Sequence, residues 1–237
     1  MKQVTSYSYD QNILREGLQH QVDNYYEPIS FPMKKRIEIV LDKLLPQEGD
    51  KILDLGCGVG TFAYHSAKSK SFCVGLDYSL ESVKMARALC LKFGVSEKTR
   101  FVVAVATHLP FKAAYFNKVV AADFIEHATD AEKVSLLKEV YRVTTKNALF
   151  VVFTPSLIRE RLGELYWRLR HILFRHSVPH TDLHFGLISA SGFNKLCLSQ
   201  GFMVKNFYFD IRRPYLAKSF FFRRILALNL LFITRKR

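Results

Sequence analysis

Lys51-Ile52-Leu53-Asp54-Leu55-Gly56-Cys57-Gly58-Val59-Gly60-Thr61 is the stretch on which the fold turns. Residues 51–55 read as a short buried strand, and the three glycines that follow at alternate positions let backbone approach a ligand where any Cβ would collide. A dinucleotide turn needs Gly-x-Gly-x-x-Gly, so that a helix N-terminus can receive pyrophosphate. Here the third glycine comes one residue early and Thr61 fills the expected place, which argues against NAD or FAD. Asp54 puts an acid at the carboxyl end of the strand, suited to a ligand with a cationic group and no phosphate. Asp77 lies 23 residues further on and closes a second apolar run, where a carboxylate can accept hydrogen bonds from both hydroxyls of a ribose. Together the two acids describe an adenosine with a positively charged tail.

Working outward, apolar runs at 72–76, 101–105, 119–122 and 148–153 join the first as five buried-strand candidates. Helical spacing separates them. At 37–45, Ile37, Val40, Leu41, Leu44 and Leu45 recur on one face before Pro46 and Gly49. At 79–93, Ser79 is placed to N-cap, Val83, Ala86, Cys90 and Phe93 share a face, and Gly94 sits where a C′ glycine belongs. At 130–143 the shared face is Val134, Leu137, Val140 and Tyr141. Strands alternating with helices of this length predict an α/β, doubly wound parallel sheet covered on both sides. After Pro155 the alternation lapses for about thirty residues. A helix over 189–201 then follows, capped by Ser189 with Phe193, Leu196 and Cys197 inward, before strand-like runs at 202–211 and 228–234.

The chain has 237 residues, 49% hydrophobic and 24% charged, which excludes disorder as its main state and suits one large domain. Its 35 Lys and Arg exceed its 21 Asp and Glu, for a net charge of +14. The excess is uneven: residues 1–155 carry 20 basic and 17 acidic side chains, and residues 156–237 carry 15 and 4. Cys57, Cys73, Cys90 and Cys197 are far apart, with no Cys-x-x-Cys pair or zinc-ligand spacing, so reduced thiols in a cytoplasmic protein are expected and no metal is implied. The polar start of the chain has no signal-peptide core, and no run reaches the ~18 apolar residues of a spanning helix.

The glycine turn, Val74-Gly75-Leu76-Asp77, Thr107-His108-Leu109-Pro110-Phe111, Asp123-Phe124-Ile125-Glu126-His127, Tyr141-Arg142-Val143 and Thr154-Pro155 occur in order and at sensible spacing. In these signals the chain resembles the class I S-adenosylmethionine-dependent methyltransferases, especially the small-molecule branch that includes quinone-biosynthesis methyltransferases. The resemblance covers residues 30–155, with a weaker likeness through Asp182-Leu183-His184 and Ser189 to Gly201-Phe202. It implies a Rossmann-like sheet of seven strands with helices on both faces, the last strand antiparallel beside the fifth, and 228–234 as that strand. It implies S-adenosyl-L-methionine as cofactor. Asp54, Gly56, Cys57, Gly58 and Gly60 would pass under its methionine part, Asp77 would hold the ribose, Ala106 and Thr107 would lie beside the adenine, and Asp123 would face the amino-acid end. Tyr78 and Phe124 complete the expected cofactor set.

The implied organisation is a single domain: a helical lid region at 1–50, a cofactor-binding core at 51–155, an insertion forming a substrate lid at 156–188, and a C-terminal helix and strand pair at 189–237. Three positions depart from the family pattern. Val105 replaces the usual acid that accepts the adenine amino group, Asn117-Lys118 an acidic residue, and Thr145-Lys146-Asn147 a Pro-Gly-Gly turn.

Methyl transfer is an in-line displacement, so the protein must align a nucleophile and, for a hydroxyl or activated carbon, remove a proton. His127 and His184 are the candidate bases at the carboxyl edge of the sheet, and each has a structural alternative: anchoring a helix start for His127, a structural hydrogen bond for His184. Tyr25 and Tyr26 are candidates for lid contact or for packing on the sheet edge. Over 157–175, Ile158, Leu162, Leu165, Tyr166, Leu169, Ile172 and Leu173 form a stripe bordered by Arg159, Arg170, Arg161, Arg168 and Arg175. That pattern fits a helix at an anionic membrane surface or a substrate lid. The segment from Arg212-Arg213 to Arg223-Arg224 mixes cations with aromatics, as in nucleic-acid binding. The fourth strand nevertheless ends in Asp123-Phe124-Ile125-Glu126, unlike base-amino methyltransferases. The expected activity is methylation of O, N or C of a small lipid-like or aromatic molecule. The alternatives are an RNA methyltransferase and a catalytically silent binding protein of the same fold.

Overall fold

The computed structural model describes residues 6–157, 160–163, 165–166, 186–209 and 229–236. The elements in chain order are α1 (Ser6–Gln21), a π-helical turn (Val22–Tyr26), α2 (Phe31–Leu44), β1 (Lys51–Leu55), α3 (Thr61–Ala67), β2 (Phe72–Asp77), α4 (Leu80–Lys92), β3 (Thr99–Val103), β4 (Phe116–Ala122), α5 (Asp130–Val143), β5 (Thr144–Pro155), α6 (Ala190–Ser199), β6 (Phe202–Phe209) and β7 (Asn229–Lys236). The strands form one sheet in the order β3-β2-β1-β4-β5-β7-β6. β1 to β5 run parallel, and β7 is inserted antiparallel between β5 and β6, pairing Val151 with Ile233 and Lys205 with Ile233. The resemblance implied this arrangement, including a last strand antiparallel beside the fifth.

The central strands are apolar on both faces because both are covered. Successive side chains point to opposite sides: Ile52, Cys73, Val120, Val151 and Leu231 join α2, α3 and α4 in one core, while Leu53, Val74, Val119, Phe150, Val152 and Phe232 join α5 and α6 in the other. Local sequence sets the helix ends. The Ser79 hydroxyl accepts the Ser82 N–H at the start of α4, Thr129 and Glu132 form a capping box at the start of α5, and Ser189 accepts the Gly192 N–H at the start of α6.

Several boundaries differ from the sequence reading. β3 covers Thr99–Val103, not 101–105, because Thr99 pairs with Cys73 and the chain leaves the sheet after Val103; Ala104 and Val105 are apolar because they wall a cavity. α2 begins at Phe31, with Pro32 in its first turn, and β4 and β5 begin earlier than their apolar runs. Asn147, in left-handed backbone, lies where the β4–β5 register shifts. On α5 the buried face is Lys133, Leu136, Leu137, Val140 and Val143, with Val134 and Tyr141 at its flank. Lys133 is tolerated there because its ammonium donates to the Ala128 carbonyl at 2.7 Å and to Asp130 at 3.2 Å. The strand expected at 202–211 is described as far as Phe209, and most of the arginine-bordered stripe and the basic aromatic segment lie outside the described residues.

Among the described residues no helix is long and apolar enough to cross a membrane.

Phe232 tests the insertion of β7, since it is fully buried and its ring lies 4.5 Å from that of Phe193 on α6. Phe232→Ala is expected to cost about 3–5 kcal/mol in urea unfolding; a loss below about 1 kcal/mol would place β7 at an exposed edge instead.

Candidate active site

The glycine turn is held from three sides. Gly56 and Gly58 have φ of 65° and 49°, in the left-handed region that glycine enters without cost. A Cβ on Gly56 would lie 2.2 Å from the Phe124 ring, so the absence of a side chain lets that ring close over the turn. A Cβ on Gly58 would meet nothing within 4 Å and would project into open space. The Tyr26 hydroxyl donates to the Val59 carbonyl at 2.7 Å while its ring stacks on Tyr64 and Phe93. The Asp77 carboxylate accepts the Gly58 N–H at 2.8 Å and the Ser79 N–H at 2.9 Å, one on each oxygen. The Tyr78 N–H contributes a third bond, and of the carboxylate's four lone pairs one stays open to a further donor. Burial raises the Asp77 pKa from the usual carboxylate value, against the lowering effect of these N–H donors.

Two cavities of about 460 and 250 Å³ open along the carboxyl edge of the sheet. Gly56, Asp77, Tyr78, Phe124 and His127 line both, so they are adjoining parts of one groove. The larger part is also lined by Cys57, Gly58, Arg36 and Asp123, and by Glu16, Gln21 and Tyr25 from the N-terminal segment. The smaller is lined by Ala104, Val105, Ala106, Thr107, Glu132 and Leu136.

One end of the larger cavity carries paired charge. Asp123 leaves β4 with φ of 52° and accepts a 2.5 Å hydrogen bond from Arg36 Nε. Arg36 reaches the site from α2, its guanidinium over the Phe62 ring, and its Nη1 is buried with no hydrogen-bond partner among the described residues. Behind them, Glu126 is fully buried: Oε2 accepts the Thr154 hydroxyl at 3.0 Å and Oε1 has no partner among the described residues. Burial, then the Asp123 charge, pushes the Glu126 carboxyl well up from the usual value.

The structure brings most of the residues singled out in the sequence into this groove. Gly56, Cys57, Gly58, Asp77, Tyr78, Asp123, Phe124 and His127 line its larger part, and Ala106 and Thr107 its smaller part. Asp54 and Gly60 line neither. Asp54 is buried beneath the turn, where Oδ2 accepts the Ala63 N–H at the start of α3, and burial pushes its pKa up to about 7. A Cβ on Gly60 would press on the Phe101 ring and Ala86, so this glycine permits close packing of turn on sheet. Tyr25 and Tyr26 divide their roles, the first lining the cavity and the second sitting in the core. His184 lies outside the described residues. Among the described residues no group of three His, Cys, Asp or Glu side chains is placed to hold a metal ion.

Sequence reading missed Arg36. Its signal was a cation in helical phase with buried Val40, inside the run Lys34-Lys35-Arg36.

Residues 52–147 match the family model described as a methyltransferase domain. Among curated relatives, norajmaline N-methyltransferase of Rauvolfia serpentina is 38% identical over 104 residues, 44% of this chain and 35% of that protein. Methyltransferase GfsG of Streptomyces halstedii is 28% identical over 178 residues, 73% of this chain and 63% of the relative. The chain thus spans between about a third and two thirds of the length of these relatives. The solved structure of the PH0226 protein from Pyrococcus horikoshii OT3 superposes with a TM-score of 0.66 at 22% identity, covering 91% of this chain and 96% of that one. With the strand order and the glycine turn, these matches make residues 52–147 a methyltransferase domain on a Rossmann-like fold, and the family they support is the class I S-adenosylmethionine-dependent methyltransferases. The cofactor of that family is S-adenosylmethionine.

The groove fits this cofactor. Gly58 lines it with no Cβ to narrow it, Arg36 Nη1, without a partner among the described residues, is a buried donor suited to a carboxylate, and Asp77 keeps acceptor capacity for a hydroxyl.

Gly56→Ala is expected to weaken S-adenosylhomocysteine binding at least tenfold in calorimetry, because it adds left-handed strain of about 1–2 kcal/mol and drives Phe124 from its place. Unchanged affinity would remove the Phe124 contact from the site. An acid whose pKa is higher in the folded than in the unfolded chain stabilises the fold fully below its unfolded value, and that contribution is lost as pH rises through the folded value. For Asp54 the window runs from 3.8 to about 7. Stability to urea should therefore fall across this window, and Asp54→Asn should flatten the fall; an equal slope in the variant would refute the assignment.

Proposed function

We propose that this protein transfers a methyl group from S-adenosylmethionine to O, N or C of a small aromatic or amphiphilic molecule. One observation carries the reading: the groove presents paired opposite charges at one end, a carboxylate with an open lone pair in the middle and an apolar slot at the other. This order matches an amino acid, a ribose and a purine in sequence. Arg36 would receive the cofactor carboxylate on Nη1 and Asp123 the ammonium group. Asp77 would hold a ribose hydroxyl while it tethers Gly58. The bound cofactor supplies an activated methyl group on a sulfonium sulfur, and the protein's contribution is alignment in a water-poor groove. α1, with Asn12, Ile13 and Glu16 on the cavity, supports a lid role for the N-terminal region.

His127 lines both parts of the groove, which supports either a proton-accepting role or anchoring of the segment before α5. The relative that acts as an N-methyltransferase supports a small-molecule acceptor. Leu162, Leu165 and Tyr166, exposed shortly after β5, support an apolar or amphiphilic one and a peripheral contact with anionic membrane. The charge division favours the same reading, because the basic excess lies outside the nearly balanced cofactor half.

Release of S-adenosylhomocysteine across a panel of small aromatic amines, phenols and amphiphiles is the direct test, with RNA as the competing substrate. Turnover on RNA alone would reverse the proposal, and cofactor binding without turnover on any acceptor would favour the silent binding protein. Arg36→Met is expected to lower cofactor affinity roughly ten- to a hundredfold, the value of a charge-assisted hydrogen bond. Unchanged affinity would remove Arg36 from the amino-acid end.

A further inference from the structure

The smaller cavity is apolar on most sides. Leu76 and Leu136 contribute hydrocarbon, and the wall formed by Ala104, Val105 and Ala106 offers no side-chain acceptor. Val105 is 54% exposed there. The Thr107 hydroxyl is engaged with His108 Nδ1 at 3.1 Å. Adenine carries an exocyclic amino group, a donor that loses affinity if it is taken from water without an acceptor. Two carboxylates line this cavity, Asp77 and Glu132. Both Asp77 oxygens are tied to backbone N–H groups, and the remaining lone pair faces the ribose in the reading given above.

Glu132 is differently placed. Its Oε2 accepts both the N–H and the hydroxyl of Thr129, each at 2.7 Å, in the capping box of α5. No donor among the described residues reaches Oε1. The Thr129 N–H holds the carboxyl below its usual range, so it is ionised at neutral pH. The capping box fixes one oxygen in place and leaves the other unspent on a residue that lines the cavity, whose Ala104, Val105 and Ala106 carry no side-chain acceptor.

We propose that Glu132 reads the base of the cofactor, its Oε1 accepting a hydrogen bond from the adenine 6-amino group. The inference rests on the groove's being the S-adenosylmethionine site. It gives the first turn of α5 a second role, because the residue that starts the helix also sets base specificity.

Glu132→Gln separates the two roles. Glutamine serves at this position of a capping box, so its carbonyl oxygen keeps the Thr129 bonds and its amide NH₂ takes the place of Oε1. The group facing the base then changes from acceptor to donor. Calorimetric titration would compare S-adenosylhomocysteine with S-inosylhomocysteine, whose base bears a carbonyl oxygen in place of the amino group. The wild-type protein is expected to prefer the adenine ligand by about tenfold or more, and Glu132→Gln to abolish or reverse that preference at unchanged melting temperature. Thr129→Ala, which removes the cap hydroxyl and leaves Glu132, should keep the preference. A Glu132→Gln protein that retains the wild-type ratio, or that weakens both ligands equally, would overturn the proposal and leave Glu132 as a helix cap. Failure of the wild-type protein to bind either ligand would overturn the reading of the groove itself, and this inference with it.

Discussion

The carboxylate of Asp77 organises the carboxyl edge of the sheet. It ends β2 and is nearly buried, and a buried carboxylate must be hydrogen-bonded or neutralised. The Gly58 and Ser79 N–H groups meet that demand. One bond ties β2 to the glycine turn after β1, and the other sets the entry to α4. The Tyr26 hydroxyl, arriving from the N-terminal segment, holds the turn from the other side through the Val59 carbonyl. A ligand that takes the remaining lone pair of Asp77 would therefore rest on a frame shared by two strands and two helices.

A second cluster, Arg36, Asp123, Glu126 and Thr154, joins α2 to the ends of β4 and β5. Taking such groups wholly or partly from water costs desolvation free energy, and ion pairs so placed often stabilise less than apolar packing would. Two of its atoms, Arg36 Nη1 and Glu126 Oε1, find no partner among the described residues, which marks it as a place built for something other than stability. Residues 1–155, which supply the described lining of the groove, are almost balanced in charge.

The strands of the sheet were legible because a layer covered on both faces demands uninterrupted apolar runs, and the glycine turn because backbone in left-handed conformations admits few other residues. The helix starts at Ser79 and Ser189 were legible because capping is a contact between near neighbours in the chain. Where an apolar residue served a cavity rather than a strand, as with Ala104 and Val105, the same pattern misplaced β3. Lys133 broke the expected face of α5 because its compensation is a carbonyl five residues away that no periodicity reports. Asp54, read as a ligand contact, lies beneath the turn and accepts the Ala63 N–H at the start of α3.

Local spacing thus made the α/β class, the glycine turn and the acids at the strand ends legible, since each depends on contacts within a few residues or on the simple need to bury a strand. Arg36 beside Asp123, 87 positions apart, and Glu132 on the same cavity as Val105 emerged only from the folded chain. Their meaning depends on which oxygen or nitrogen remains unpaired once every nearer partner has been satisfied, and that is a property of the assembled groove.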